Sequence, residues 1–253
     1  MVAAAPCEAI ILRYTNYGDA DRIVTLLTLE RGVCSGIARN ARNSRRRFGA
    51  ALQLFNRVRV LWQPRKRGGL AQLAEVELVE SATALTDSLE ALALAAYMCE
   101  LVHVLSPEEQ PVPEIYQLLE VVLNLLPEAK SYATLRIVFE LRLLELVGLL
   151  PHIGHCANCW EALHDEWLLF DVARGGTLCP RCAGDRHGGV IVQAVTLGSL
   201  ARLLRVEPKK FLAISLSEQT LQQGAKLLHQ VLASCVGRRI KSAEFLDGLI
   251  RVG

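Results

Sequence analysis

The sequence predicts an α+β multidomain chain: an N-terminal β-barrel followed by an all-α domain that carries an inserted four-cysteine zinc module. Three observations support this. Short β-branched runs recur through the first 80 residues, and apolar residues repeat at three- and four-residue spacing from about residue 87. The helical pattern is then broken, over roughly 151–190, by four cysteines in two tight pairs. With 253 residues, 51% of them hydrophobic, the chain can bury a large core and exceeds the usual single-domain length. The expected parts are a barrel over 1–80, helices over 81–150, the cysteine insert over 151–190, and further helices over 191–253.

The strands come first. "CEAIILRY", "RIVTLLTL" and "VCSGIAR" are separated by "TNYGDAD" and "ERG", which supply the Gly, Asn and Asp that turns need. "NRVRVLW" alternates, with Val58, Val60 and Trp62 on one face and Arg57, Arg59 and Leu61 on the other, and "LAQLAEVELVE" follows the turn "RKRGG". Five short antiparallel strands in about 80 residues suit a closed barrel of the oligonucleotide/oligosaccharide-binding type, the OB-fold, with a plain sandwich as the alternative.

The helices follow. "DSLEALALAAYMCELVHVL" carries Asp87 and Glu90 in a capping-box spacing, "PEIYQLLEVVLNLL" opens on Pro113, and "SYATLRIVFELRLLELVG" runs from a cap at Ser131 to Gly148. After residue 190, "TLGSLARLLR", "SEQTLQQGAKLLHQVLASCVG" and "SAEFLDGLI" resume the helical period.

Within the insert, "CANC" supplies Cys156 and Cys159, and "CPRC" supplies Cys179 and Cys182, with 19 residues between the pairs. Each pair forms a tight turn whose thiolates can converge on one cation, at the spacing of tetrahedral zinc sites. Four thiolates fill a tetrahedron and leave no position for water, so the expected role is one structural zinc ion. His152, His155, His164 and His187 lie nearby and could substitute for one sulfur, although the four sulfurs already satisfy the usual coordination number. The run His164 to Glu166 before Cys179 and Cys182 mimics a zinc deaminase signature, but Leu178 stands where Pro belongs and the other pair would have no role. Nucleotide-phosphate loops, nucleophile elbows and H-E-x-x-H helices do not occur, and His103 and His229 sit in helical apolar stretches. These features predict a binding protein rather than an enzyme.

The net charge of +2 hides a strong asymmetry. Ten basic residues (Arg39, Arg42, Arg45, Arg46, Arg47, Arg57, Arg59, Arg65, Lys66 and Arg67) fall where no Asp or Glu occurs between Glu30 and Glu75, leaving −8 for the remainder. Charge focused on one segment is the footprint of a polyanion binder. No apolar run reaches the roughly 18 residues of a membrane span, and "MVAAAPCEAI" lacks the form of a signal peptide, so a cytosolic location is expected. A basic barrel with a zinc module also suits an RNA-binding or ribosome-associated protein, which is the alternative function and would prefer structured RNA.

"YGDADRIVTLLTLERG", the basic loop entering "ALQLF", "FELRLLELVGLLPHIGHCANC", "LCPRCA" and "RRIKSAEFL", taken in order, resemble the bacterial RecO recombination mediator family over essentially the whole chain. Where that family's pattern carries Gly and Lys-Ser, this chain has Asn40 and Asn43-Ser44-Arg45, and Leu54 replaces Pro. The resemblance implies an OB-fold, an interrupted helical domain, no catalysis, and zinc on Cys156, Cys159, Cys179 and Cys182. It also implies binding of single- and double-stranded DNA, strand annealing, and action with RecR and the single-stranded-DNA-binding protein so that RecA loads during DNA repair in a bacterial, nucleoid-associated cytoplasm.

The ten basic residues are then expected to converge on one phosphate-tracking groove. Phe48, Phe55 and Trp62 would stack bases, although aliphatic neighbours favour core packing for the last two. Arg136 and Arg142 are candidates for receiving the acidic, aromatic-ended C-terminal tail of the single-stranded-DNA-binding protein; the plainer reading is a core helix with two solvated arginines.

Overall fold

The computed structural model describes residues 6–44, 47–63, 69–185 and 188–250. Strands β1 (Cys7–Tyr17), β2 (Asp21–Thr28), β3 (Gly32–Ala38), β4 (Arg57–Gln63) and β5 (Ala71–Glu80) close into a barrel in the order β1-β2-β3-β5-β4, with β4 returning to β1. All neighbours are antiparallel except β3 and β5, which meet in parallel at Gly36 and Ala71. This is the closed five-stranded OB-fold order.

Alternation decides what fills the barrel. Ala9, Ile11, Val24, Leu26, Val58, Val60, Trp62 and Leu73 point inward and are buried. Trp62 plugs one region: its indole N–H donates to the Cys7 sulfur at 2.9 Å, so the ring is buried without an orphan donor. Opposite the ring the chain has Gly36, where a Cβ would stand 2.6 Å from the Trp62 side chain. A bulge between Ile11 and Arg13 shifts the alternation of β1 before its outer end.

The chain divides into two compact units, Met1–Pro127 and Glu128–Gly253. In this division residues 81–127, expected as the first part of the helical domain, group with the barrel. The reason is side-on packing: α1 (Leu89–Leu105) lies against β1, and Glu109 N–H donates to Val33 carbonyl at 2.9 Å on β3. Helix α2 (Pro113–Leu125) carries Glu120, which takes the guanidinium of Arg57. The cap of α1 is Ser88, whose side chain accepts from Ala91 N–H and donates to Glu90, rather than Asp87.

In the second unit, α3 (Tyr132–Leu146) starts on the Ser131 cap and is buried on nearly all sides. The insert that follows forms a three-stranded sheet in the order β7 (Gly176–Leu178), β6 (Trp167–Asp171), β8 (Val190–Gln193), with the short helix α4 (Pro180–Ala183) after β7. Its small core joins Leu169 and Leu178 to Cys156 and Cys179. Helices α5 (Ala194–Leu203) and α6 (Glu218–Cys235) then pack on α3, and α7 (Lys241–Leu249) is tied to it by Asp247.

Candidate functional site

Local chain geometry builds the cysteine cluster. Cys156 and Cys159 sit on a knuckle closed by Cys156 N–H to Glu161 carbonyl (2.9 Å) and Trp160 N–H to Cys156 carbonyl (3.0 Å). Cys179 follows β7 as the N-cap of α4, Pro180 opens that helix in the position that tolerates it, and one helical turn brings Cys182 back beside Cys179. The four sulfurs lie within 4.8 Å of one another, and Cys159 and Cys179 are 3.8 Å apart. A tetrahedral ion with metal–sulfur bonds of about 2.3 Å needs sulfur pairs about 3.8 Å apart, so the quartet fits.

Hydrogen-bond donors already face these sulfurs. Cys179 N–H points to the Cys156 sulfur and the Asn158 amide to that of Cys182, each at 3.4 Å. Burial raises the Cys156 thiol, but backbone N–H groups at Cys159, Cys179 and Asn158 more than offset it and bring it below the usual thiol range. No histidine belongs to the group among the described residues. His155 instead stacks on Trp160 at 4.5 Å with His152 at its edge, and His164 is exposed; His187 lies outside the described residues.

The second candidate is the basic edge of the barrel. After β3 the chain turns at Asn40, which has a φ of 56°. This left-handed conformation is the one glycine would supply, and asparagine is among the few other residues that adopt it readily. Asn40 thus preserves the turn that the family resemblance assigns to glycine. Asp21 fixes the turn by accepting from Asn40 N–H at 2.7 Å and from Arg39 at 3.2 Å. Arg42 donates from its backbone to Ala20 carbonyl and from its side chain to Asp19 carbonyl. Arg47 folds back onto Arg39 carbonyl at 2.8 Å and lies over Phe48. Arg39 and Arg42 are exposed and Arg47 half-buried, all on one loop against the β1–β2 turn. Arg45, Arg46, Arg65, Lys66 and Arg67 lie outside the described residues.

Two of the expected contributors are placed differently. Arg57 meets Glu120 at 2.6 Å, Glu80 at 3.1 Å and Glu8 at 4.0 Å, and Arg59 meets Glu77 at 3.0 Å. The cause is strand pairing: β4 lies between β1 and β5, opposite Glu8, Glu77 and Glu80, so acids distant in sequence become neighbours in space. Burial disfavours the Arg57 charge, but the Glu120, Glu80 and Glu8 carboxylates outweigh it and hold its pKa above the ordinary value. Phe48, offered for stacking, is 2% exposed and closes the barrel core; Phe55 and Trp62 are also buried, as their aliphatic neighbours indicated.

Other residues at this edge were missed: Tyr17 because β1 runs three residues beyond the expected "CEAIILRY", and Arg13 and Arg22 because each lies within an expected strand, ahead of the basic segment that the charge count singled out. Tyr17 is 56% exposed, Arg13 is exposed, and Arg22 lies 4.4 Å over the Tyr14 ring beside Asn16. The signal was the register of the β1–β2 hairpin, which pairs Asn16 with Arg22 and Tyr17 with Asp21. In the other unit, Arg136 is buried against Glu140 (2.8 Å) and also bonds Asp247, while Arg142 meets Glu145 at 3.6 Å and the Leu204 carbonyl. Neither is a solvated cation.

The family model described as Recombination protein O N terminal matches residues 2–82, and that described as Recombination protein O C terminal matches residues 86–244. A DNA repair protein RecO of Syntrophotalea carbinolica is 41% identical over 96% of this chain and 93% of its own length. Proteins of that name from Pelobacter propionicus and Symbiobacterium thermophilum are each 37% identical, over 94% and 96% of this chain and 94% and 96% of theirs. With a closed OB barrel at one end, a helical part carrying a convergent cysteine quartet at the other, and matches across both, the chain belongs to the RecO family of DNA repair proteins.

Proposed function

We propose that this protein is a non-enzymatic recombination mediator that binds single- and double-stranded DNA along the β2–β3 side of its barrel. The observation that carries the reading is the exposed arginine loop bonded onto the β1–β2 turn, since loops at this end of an OB-fold are where oligonucleotides bind. Arg39, Arg42 and Arg47 contribute from that loop, with Arg45, Arg46, Arg65, Lys66 and Arg67 on the strength of the sequence, and Arg13, Arg22 and Tyr17 extend the surface. Arg57 and Arg59, held by carboxylates, serve the barrel instead.

Such a surface neutralises phosphate without reading base edges. Two strands held this way repel each other less while their pairing edges stay free, which is the physical basis for annealing. In this reading the protein works with RecR to load RecA onto DNA covered by the single-stranded-DNA-binding protein, in the bacterial cytoplasm at the nucleoid. The acidic tail of the single-stranded-DNA-binding protein is a further partner; to meet it, Arg136 and Arg142 would have to leave their intrachain partners. Cys156, Cys159, Cys179 and Cys182 hold one zinc ion, which supplies folding energy to a module with few large apolar residues. Among the described residues, no helix is long and apolar enough to cross a membrane.

Titrating the protein with single-stranded oligonucleotides over a salt series tests this. Neutralising about six phosphates gives a slope of log K against log salt near −4. Replacing Arg45, Arg46 and Arg47 with Ala should weaken all sequences alike. A slope near zero, or a loss confined to one sequence, would contradict backbone-driven binding.

A further inference from the structure

We propose that Asp21 is the positioning residue of the arginine loop and a resident competitor for strand phosphate, holding Arg39 in reserve until DNA displaces it. The inference rests on the DNA-binding reading above and assigns a regulatory role within that surface.

The two carboxylate oxygens of Asp21 do different work. Oδ1 accepts from Asn40 N–H at 2.7 Å, and this bond sets the turn. The carbonyl of Asn40, in its left-handed conformation, takes the N–H groups of Ser44 (3.0 Å) and Asn43 (3.3 Å), while its side chain takes the Asn43 amide at 3.1 Å. The shape of the loop therefore hangs on Asn40, and Asn40 hangs on Asp21. Oδ2 instead receives the Arg39 guanidinium at 3.2 Å.

Shape alone does not need that charge. An asparagine at position 21 offers the same Oδ1 acceptor to Asn40 N–H. What a carboxylate adds is attraction for a cation, and Arg39 is the loop arginine that takes it. Among the described residues, Arg42 meets the Asp19 carbonyl, and Arg47 meets the Arg39 carbonyl and Ser44 hydroxyl, so neither of their charges is cancelled by an acid.

The pair is also asymmetric. The Asp21 side chain is 20% exposed and anchored, whereas that of Arg39 is 62% exposed at the free end. A phosphate approaching from solvent can take Arg39 while Asp21 keeps Asn40. The loop keeps its form, and one cation changes partner.

The test is a double-mutant cycle on the full-length chain with a fluorescent oligo(dT) probe over a salt series: wild type, Asp21→Asn, Arg39→Ala and the double variant, with Asp19→Asn and Arg42→Ala as controls. Asp21→Asn should tighten binding by about 1.4- to 5-fold, the range an exposed ion pair spans, and steepen the salt slope by about 0.7, one phosphate on a single strand. In the Arg39→Ala background the same change should do nothing. Arg39→Ala should cost less than Arg42→Ala in the wild type, and as much in Asp21→Asn. Equal tightening by Asp21→Asn with and without Arg39, or by Asp19→Asn with the same coupling, would reduce the effect to general charge and overturn the proposal. Weakened or unchanged binding by Asp21→Asn would also overturn it. If Arg42→Ala and Arg47→Ala leave affinity and slope unchanged, the DNA-binding reading itself is what has failed.

Discussion

Replacing Arg57 with Met separates charge that binds from charge that holds the barrel together. The substitution keeps the aliphatic stem and removes the guanidinium, leaving Glu120, Glu80 and Glu8 facing one another. Arg57 and Glu120 are 30% and 25% exposed, so the pair lies between an exposed ion pair, worth up to about 1 kcal/mol, and a buried one, whose breaking costs about 3–5. A loss of about 1–2.5 kcal/mol follows. For a unit spanning Met1–Pro127, with an unfolding entropy of about 2.1 cal/mol/K per residue, this lowers the melting temperature by roughly 4–9 °C. Melting followed by circular dichroism should show that drop, while affinity for single-stranded DNA at 25 °C stays within about twofold and the salt slope is unchanged. A variant that melts like the wild type but loses affinity as Arg42→Ala does would return Arg57 to the proposed DNA surface and refute the reasoning.

Three further outcomes follow from named contacts. Cys156→Ala removes one sulfur of four from a module whose core is small, so the folding energy of the zinc ion proposed for this quartet, on the order of 10 kcal/mol, should be largely lost; limited proteolysis should cut within 151–190 while the barrel unit resists. Gly36→Ala places a Cβ 2.6 Å from the Trp62 side chain and 3.1 Å from the Ala71 carbonyl, overpacking the barrel by about 1–3 kcal/mol, measurable by urea denaturation. Burial pushes the Cys34 thiol up to about 11, from 9.0. Between those values the unfolded chain loses this proton and the folded chain keeps it, so stability falls as pH rises, by about 1.4 kcal/mol per pH unit, and Cys34→Ala should flatten that part of the profile.

How much of this was legible in the sequence depended on the range of the interactions. All five strands were readable, because alternation and turn residues are local signals. The helices were readable for the same reason, and Ser131 and Pro113 marked two helix starts correctly. At α1, Asp87 and Glu90 made the better motif, yet Ser88 is the residue with extended backbone that reaches Ala91 N–H. The cysteine quartet was legible because two C-x-x-C turns carry their own geometry and need the fold only to bring two rigid halves together. The placement of Arg136 was not. Its partner Asp247 comes from 111 residues away, and nothing near position 136 announces it.

The basic edge shows why a linear charge count identifies a segment better than a surface. Ten cations without an intervening acid suggested one groove, but a barrel puts every strand beside two others, and for β4 those two carry Glu8, Glu77 and Glu80. Arg57 and Arg59 are therefore neutralised by topology. The loop after β3 escapes most of this because it leaves the sheet: Arg42 and Arg47 meet backbone carbonyls, which orient a guanidinium without cancelling its charge. Only Arg39, still next to the β2 start, meets a carboxylate among the described residues, that of Asp21. The loop cations that no described acid cancels are thus those whose backbone has departed from strand pairing, as it does after β3. Tyr17 and Arg13 reach the surface differently, from positions still paired with β2 but past the bulge where β1 leaves the buried part of the barrel.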